Sequence, residues 1–215
     1  YPMPGFVKTG VQNGYTVYEN EYYVPMGFSY DYAVTEEQLS SLTAASKDRL
    51  LLRALLLSEE DYASVSDILS VLPDEEVVNG DYSDEMYFDD CLARKALSVD
   101  SFRYDSYGFT AETSYDEDRV VFFSVPYESG WSAAVNGEPV QILKGNAGFM
   151  AVRVPAGEST ISFTYRTPGL AAGSIISLSA LLLLFGYLAV SHFLTKRHGG
   201  APLRLAHRYT EQNMP

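Results

Sequence analysis

The longest pattern along the chain is an uncharged, mostly apolar stretch near its C-terminal end. Between Arg166 and Lys196, 29 residues carry no formal charge. The 25 residues from Leu170 to Leu194 would form a helix roughly 38 Å long, which is enough to cross a hydrocarbon core of about 30 Å with some tilt. The pattern therefore predicts one transmembrane helix over residues 167–195.

Before this stretch, from Val99 onward, apolar and polar residues alternate with a period of two. Short alternating segments separated by turn residues are typical of a β-sandwich. We therefore predict a jelly-roll-like β-sandwich over residues 99–166. Its predicted strands lie near residues 100–107, 109–115, 119–125, 131–136, 139–143, 148–154 and 159–166.

The first part of the chain, residues 1–57, mixes strand and helix signals. Asn13-Gly14 lies between two alternating segments and predicts a β-hairpin with a type I′ turn. Thr35 begins the pattern of a capped helix start. Residues 46–57 read as a second helix that is too short to span a bilayer. We predict a mixed α/β first lobe here.

Residues 58–98 are rich in acids and lack long apolar runs, apart from a short helical pattern near residues 84–96. This composition predicts a loosely packed acidic connector with one short helix. Together, the patterns predict an α+β ectodomain with a C-terminal β-sandwich, followed by one transmembrane α-helix and by a tail over residues 196–215.

Charge indicates the orientation of the predicted span. The tail holds four of the 15 Lys and Arg residues and one of the 28 Asp and Glu residues, so the segment before the span carries a net charge of −16. Basic residues favour the cytoplasmic side of a membrane. We therefore expect that the tail is cytoplasmic and that residues 1–166 are extracellular. Since residues 1–5 resemble no signal sequence, we also expect a parent with upstream signal or membrane segments.

Two residue counts limit the chemistry. All three histidines, His192, His198 and His207, lie in or after the predicted span, so the ectodomain lacks a histidine base or metal ligand. One cysteine, Cys91, excludes an internal disulfide and favours a bacterial source. The negative charge argues against nucleic-acid binding. We expect no catalytic residue, no metal site and no cofactor in this chain.

Several sequence blocks resemble YfhO-family bacterial membrane proteins. They are Val17–Phe28, Lys47–Leu55, Val121–Gly137, Gly148–Gly157 and Ile161–Gly169. The resemblance implies the distal end of a polytopic glycosyltransferase of the GT-C type in the bacterial cell membrane. Such an enzyme moves a sugar from a polyprenyl-phosphate donor to a cell-surface polymer such as lipoteichoic acid. The catalytic loop of that type has no counterpart in this chain.

Two aromatic groups are candidates for carbohydrate contact, because sugar faces stack on rings while hydroxyls bond to carboxylates. The first is Tyr127, Glu128 and Trp131 at a predicted strand end. Alternatively, Trp131 is a core residue that anchors the sandwich. The second group is formed by Tyr22, Tyr23, Phe28, Tyr30 and Tyr32.

Three small residues, Gly169, Gly173 and Ser177, recur every four positions and predict close packing of the span against another transmembrane helix of the parent. Thr167 is the predicted N-cap of that span, with Pro168 at the first helical position. Acidic clusters at residues 74–76, 89–90 and 116–118 lack the spacing of a calcium loop, and solvated surface is the simpler interpretation.

Two functions from different classes remain open at this stage. The chain is an accessory ectodomain and terminal helix of a lipid-linked sugar transferase, or it is a non-catalytic carbohydrate-binding module anchored to membrane lipid by one helix. A sensor that relays ligand occupancy inward is less favoured, because the 20-residue tail is too short for an output domain.

Overall fold

The computed structural model describes residues 3–197, and the chain divides into two units that meet between Arg166 and Thr167. The strands are β1 (Phe6–Gln12), β2 (Tyr15–Asn20), β3 (Phe28–Tyr30), β4 (Tyr32–Val34), β5 (Ala54–Leu56), β6 (Ser70–Val71), β7 (Ser101–Tyr104), β8 (Gly108–Tyr115), β9 (Arg119–Pro126), β10 (Trp131–Val135), β11 (Glu138–Val140), β12 (Leu143–Gly145), β13 (Phe149–Val154) and β14 (Gly157–Tyr165). The helices are α1 (Glu36–Ser40), α2 (Ala44–Arg53), α3 (Glu59–Ala63), α4 (Asp74–Val78), α5 (Asp84–Ala96) and α6 (Leu170–Arg197).

Two antiparallel sheets form the predicted β-sandwich. The five-stranded sheet has the order β11-β10-β14-β8-β7, and the four-stranded sheet has the order β12-β13-β9-β3. Strand β8 alternates buried and exposed residues along most of its length, which is typical of a sheet with one solvated face. The predicted strand at residues 139–143 is instead two short strands, because the chain passes from one sheet to the other between β11 and β12.

The four-stranded sheet is buried on both faces. Along β9, Val121 and Phe123 pack between the two sheets, whereas Val120 and Phe122 pack against the first lobe. Two-sided burial explains why this strand is a nearly continuous apolar run instead of an alternating one. We call the group between the two sheets the sandwich core, and it includes Phe109, Phe123, Met150, Val152, Ile161 and Phe163.

A small parallel sheet lies in the first lobe, in the order β5-β4-β6. One of its faces contributes Ala33, Leu55 and Leu57 to a group that also contains Phe122 of the sandwich, which we call the interlayer core. Its other face contributes Val34 to a third group, the outer core. The remaining buried members of the outer core are Leu50, Ala54, Leu56, Leu72 and Val77.

Local sequence signals explain several of these elements. Asn13 and Gly14 have φ angles of 52° and 82°, so the predicted hairpin between β1 and β2 is confirmed. Thr35 and Gln38 form a reciprocal capping box at the start of α1. The helix predicted over residues 46–57 ends at Arg53, because residues 54–56 pair with β4 and are fully buried there.

The acidic segment after β5 differs from the prediction. The sequence predicts loose packing over residues 58–84, yet Val65, Leu69, Leu72 and Val77 are each 1% exposed. Isolated apolar residues between acids anchor α3, β6 and α4 to the two cores of the first lobe. The predicted short helix is confirmed as α5. The domain boundaries predicted at residues 57 and 98 stay predictions, and β3 from the first lobe pairs with β9 of the sandwich.

One residue, Asn146, joins the sandwich to the first lobe through several hydrogen bonds. Asn146, in the turn between β12 and β13, donates its backbone N–H to the Leu56 carbonyl oxygen at 3.0 Å. Its Oδ1 accepts the Leu56 N–H at 2.9 Å, and its Nδ2 donates to the Leu51 carbonyl and the Tyr30 hydroxyl, both at 3.2 Å. The residue has a φ of 48°, a region that asparagine tolerates better than most residues.

A charged group fixes the junction between β3 and β4. The Asp31 carboxylate accepts hydrogen bonds from Arg119 at 2.6 Å and from Arg94 at 3.2 Å. The Arg94 side chain is 6% exposed, lies over the Tyr30 ring and also donates to the Ser29 carbonyl oxygen. Burial alone would raise the pKa of Asp31, but the hydrogen bonds and charges of the two arginines outweigh it and lower that pKa.

Helix α6 is the one helix within residues 3–197 that is long and apolar enough to cross a membrane, judged by length and composition. The predicted start is wrong by two residues. Gly169 has a φ of 79° and its carbonyl oxygen accepts the N–H of Gly173, so Gly169 is the capping position and Leu170 the first helical residue. Of the predicted tail, only Lys196 and Arg197 are described, at the end of α6; residues 198–215 lie outside the described residues.

We predict that Asn146→Ala lowers the free energy of unfolding by about 2–4 kcal/mol, since three side-chain hydrogen bonds are lost and the buried Leu56 N–H loses its acceptor, whereas Tyr30 and Leu51 keep their bond to each other. The matched control is Asn13→Ala, at a φ of 52° in an exposed turn, which should cost at most about 1 kcal/mol. The measurement is urea denaturation of the chain in detergent micelles, followed by the fluorescence of the single tryptophan, Trp131. Equal losses in the two variants would contradict the role of Asn146.

We predict that Asp31→Asn lowers stability by about 1–2 kcal/mol at pH 7, a modest value because Asp31 is half-exposed. A carboxyl group with a lowered folded-state pKa stabilises the fold above its unfolded pKa, and the stabilisation disappears as pH falls through the folded value. The stability gap between wild type and variant should therefore shrink below about pH 4. The exposed control Asp89→Asn should leave the pH profile unchanged; a gap that is independent of pH would argue against the pairing.

Candidate functional site

The predicted carbohydrate contact lies at the connection between β9 and β10. Trp131 is half-buried, and its ring packs with those of Phe109, Phe163 and Tyr165 at centroid distances of 5.7, 6.3 and 5.1 Å. Its backbone N–H donates to the carbonyl oxygen of Glu128 at 3.0 Å. The structure therefore places Trp131 against the sandwich core, as the alternative from the sequence describes.

The other two residues of this group have different surroundings. Tyr127 is half-buried, and the Lys144 ammonium lies 4.5 Å from its ring centroid, where a cation–π contact occupies one face. Glu128 is exposed. The three residues are neighbours along one connection, but Glu128 is the only fully exposed one among them. A role of Tyr127, Glu128 and Trp131 in carbohydrate contact stays a prediction.

The second aromatic group does not form a common platform. Phe28 and Tyr30 are buried, and Tyr22 stacks on Phe88 with a centroid distance of 4.2 Å. Tyr23 and Tyr32 are exposed. The five rings therefore lie in three environments: Phe28 and Tyr30 pack together in the interlayer core, Tyr22 packs on α5, and Tyr23 and Tyr32 face solvent.

A cleft that the sequence analysis did not identify opens at the carboxyl edge of the parallel sheet. It has a volume of about 440 Å³ and is bounded by the segments that follow β4 and β5, with Val71 of β6 beside them. The chain leaves β4 into α1, which packs on the outer core, and leaves β5 into α3, which packs on the interlayer core. Adjacent parallel strands whose connections leave on opposite faces form the crevice in which open α/β sheets bind ligands.

The walls of the cleft combine apolar, aromatic and acidic groups. Its floor is aliphatic, and the half-buried Tyr62 supplies one phenol ring. Thr35 and Ser58 cap α1 and α3, their hydroxyl oxygens accepting the N–H groups of Gln38 and Asp61. The full lining is Ala33, Val34, Thr35, Glu36, Glu37, Leu57, Ser58, Glu59, Tyr62 and Val71.

The cleft carries a one-sided charge. Three glutamates line it, and among the described residues no Lys, Arg or His takes part in the lining. A neighbouring cavity of about 470 Å³ shares Thr35, Glu37 and Val71 with it and adds Asp74. The acidic groups already complement the helix N-termini, so the cleft repels anions and accepts hydrogen-bond donors.

Hydrogen bonds from the sandwich hold both walls of the cleft. Asn146 fixes Leu56, the last residue of β5, and Leu57 donates its N–H to the Val34 carbonyl oxygen at 3.4 Å. The Asp61 carboxylate accepts the backbone N–H of Lys144 at 3.2 Å, which fixes the first turn of α3. The cleft is therefore built on elements with fixed positions, as a preformed binding site requires.

Each predicted acidic cluster has at least one acid that is engaged in contacts within the protein. Asp90 pairs with Arg53 at 2.9 Å, and Asp118 pairs with Arg153 at 3.0 Å while accepting the N–H of Ala156. Within residues 3–197, the acids, histidine and cysteine form no group of three or more that could hold a metal ion.

One of the three residues of the predicted small-residue stripe lies outside the helix. Gly173 and Ser177 are exposed residues of α6, whereas Gly169 precedes the helix in a left-handed conformation. The stripe on the helix is therefore reduced to Gly173 and Ser177. Their packing against another transmembrane helix stays a prediction.

Comparisons with known proteins agree with the membrane character of the chain. The family model described as "Bacterial membrane protein YfhO" matches residues 76–177, from α4 through the sandwich into α6. The uncharacterized protein YfhO of Bacillus subtilis (strain 168) is 28% identical over 97 residues, which are 45% of this chain and 11% of that relative. No solved structure gives a significant match. Residues 76–177 of this chain are therefore similar to the YfhO family of bacterial membrane proteins.

Proposed function

We propose that residues 1–166 form an extracellular accessory domain of a membrane-bound glycosyltransferase, and that α6 is its terminal membrane helix. One observation carries the proposal: the YfhO family model matches residues 76–177, a range that extends from α4 and the sandwich into the apolar helix α6. A sequence family that includes both parts favours a shared role at the membrane over two independent ones.

The reaction proposed for the parent protein is transfer of a sugar from a polyprenyl-phosphate donor to a cell-surface polymer such as lipoteichoic acid. The accessory domain contributes contact with the acceptor, while the chemistry takes place elsewhere in the parent. Other transmembrane helices of the parent are the proposed partners of α6. The ectodomain carries a net charge of −16, so an anionic acceptor approaches it only with counterions or through uncharged sugar groups.

The second candidate is a carbohydrate-binding module held at the cell surface by one helix. The preformed cleft favours it as well, because binding requires no catalytic residue. The two candidates differ in the effect of removing the domain. The accessory role predicts the loss of sugar transfer to the acceptor, whereas the binding role predicts transfer without retention of the polymer.

We predict that Ser106, in the exposed turn between β7 and β8, lies outside the cell. Ser106→Cys in a Cys91→Ser background should react with a membrane-impermeant maleimide on intact bacteria. Lys196→Cys, at the other end of α6, is the control and should react only after permeabilisation, because basic residues favour the cytoplasmic side. The reverse labelling pattern would contradict the proposed orientation.

We predict that isolated residues 1–166 fold but transfer no sugar. Folding should give a cooperative denaturation curve, because the cores of this unit are internal to it. Transfer is measured with a radiolabelled polyprenyl-phosphate sugar and a glycopolymer acceptor, with membranes that contain the parent protein as the positive control. Turnover by the isolated domain would show that the active site lies within it.

A further inference from the structure

The cleft at the carboxyl edge of the parallel sheet has the size and position of a binding site, but its chemistry excludes common ligands of such crevices. Phosphate groups bind free N–H groups at helix N-termini, often with a basic side chain. Here Thr35 and Ser58 accept hydrogen bonds from N–H groups in the first turns, and Glu36, Glu37 and Glu59 stand at the opening. A phosphate or nucleotide would meet three carboxylates and no cation.

The same lining suits a neutral ligand that has both hydroxyl groups and an apolar face. Carboxylates accept hydrogen bonds only, and hydrogen bonds between hydroxyl donors and carboxylates are the strong, charge-assisted kind. Tyr62 offers a ring at the wall, and Leu57 and Val71 supply aliphatic surface. A pyranose ring presents these two features together, with C–H groups on its face and hydroxyls around its edge.

We propose that this cleft binds a neutral glycosyl unit, with Tyr62 against the sugar face and Glu59 and Glu36 accepting its hydroxyl hydrogens. The proposal rests on the proposed function, since it specifies where the ectodomain contacts its carbohydrate. It moves that contact away from Tyr127, Glu128 and Trp131. It also explains how a domain with a net charge of −16 engages an anionic glycopolymer, because the uncharged sugar group is the part recognised.

The walls of the cleft are held in place by hydrogen bonds within the protein and not by a ligand. Asn146 and Asp61 connect the two walls to the sandwich, so the sugar would meet a site that is already ordered. A preformed site loses little conformational entropy on binding. The neighbouring cavity beside Asp74 continues the cleft and leaves room for a second sugar unit.

The test uses the full chain in a detergent without sugar head groups, with saturation-transfer NMR as the readout. The probes are methyl β-glucopyranoside and methyl N-acetyl-β-glucosaminide, with glycerol phosphate as the anionic comparison. We expect a glycoside to bind and glycerol phosphate not to bind. Glu59→Gln and Tyr62→Leu should each weaken glycoside binding about tenfold, since each removes a strong contact.

Glu60→Gln is the matched control, because Glu60 is exposed in the same turn of α3 as Glu59 but does not line the cleft. It should leave binding unchanged. Glu59 is also exposed, so Glu59→Gln tests the site without disturbing the core. The urea midpoint of Tyr62→Leu shows whether that variant remains folded.

Other outcomes would overturn the proposal. Absence of binding by either glycoside, or preferred binding of glycerol phosphate, would remove the cleft as a sugar site. Binding that is insensitive to Glu59→Gln but lost in Trp131→Phe would return the contact to the β9–β10 connection and leave the proposed function standing. A different result would contradict the proposed function and not the sugar site: glycosides bind at the cleft, but maleimide labelling places the domain in the cytoplasm.

Discussion

The arrangement of residues 3–166 depends on one sheet that has no solvated face. Strands β9 and β13 supply side chains to the sandwich core on one side and to the interlayer core on the other. Burial of apolar surface on both faces is the largest favourable contribution that such a sheet can make. The first lobe and the sandwich therefore share a wall, and neither can lose its contacts with that sheet without exposing the residues of the other. Asn146 adds directional bonds at the edge of this shared wall.

The sequence predicted elements whose signals are local. The hairpin at Asn13-Gly14, the capped start at Thr35 and the helix of α5 follow from turn and capping chemistry within a few residues. Strand β5 could not be recognised, because Ala54–Leu56 continues the apolar pattern of α2 and becomes a strand only by pairing with β4. The same applies to β3, whose partner β9 lies about ninety positions later in the chain. Non-local pairing of this kind leaves no local periodicity to detect.

The candidate site illustrates the same limit. Tyr127 and Trp131 drew attention because aromatic residues carry recognisable chemistry, but Trp131 packs against the sandwich core. The cleft is made of common residues, and only the meeting of two strand ends gives them a joint environment. A usable signal was present, since Thr35 and Ser58 each follow a short apolar segment and begin an acidic turn. Recognising it required β5 as a strand, which the helical reading of residues 46–57 excluded. Association with the membrane, by contrast, follows from composition, because an uncharged and mostly apolar stretch of 29 residues is typical of a transmembrane helix.

Native-state hydrogen exchange of the chain in micelles tests the shared sheet most directly, because it gives a separate opening free energy for each strand. The account predicts that the amides of β4 and β5 in the first lobe have opening free energies within about 1 kcal/mol of those of β9 and β13, since all of them open only on global unfolding. If β4 and β5 exchange through an opening that is several kcal/mol easier while β9 and β13 stay protected, the first lobe is an independent unit and the account is wrong.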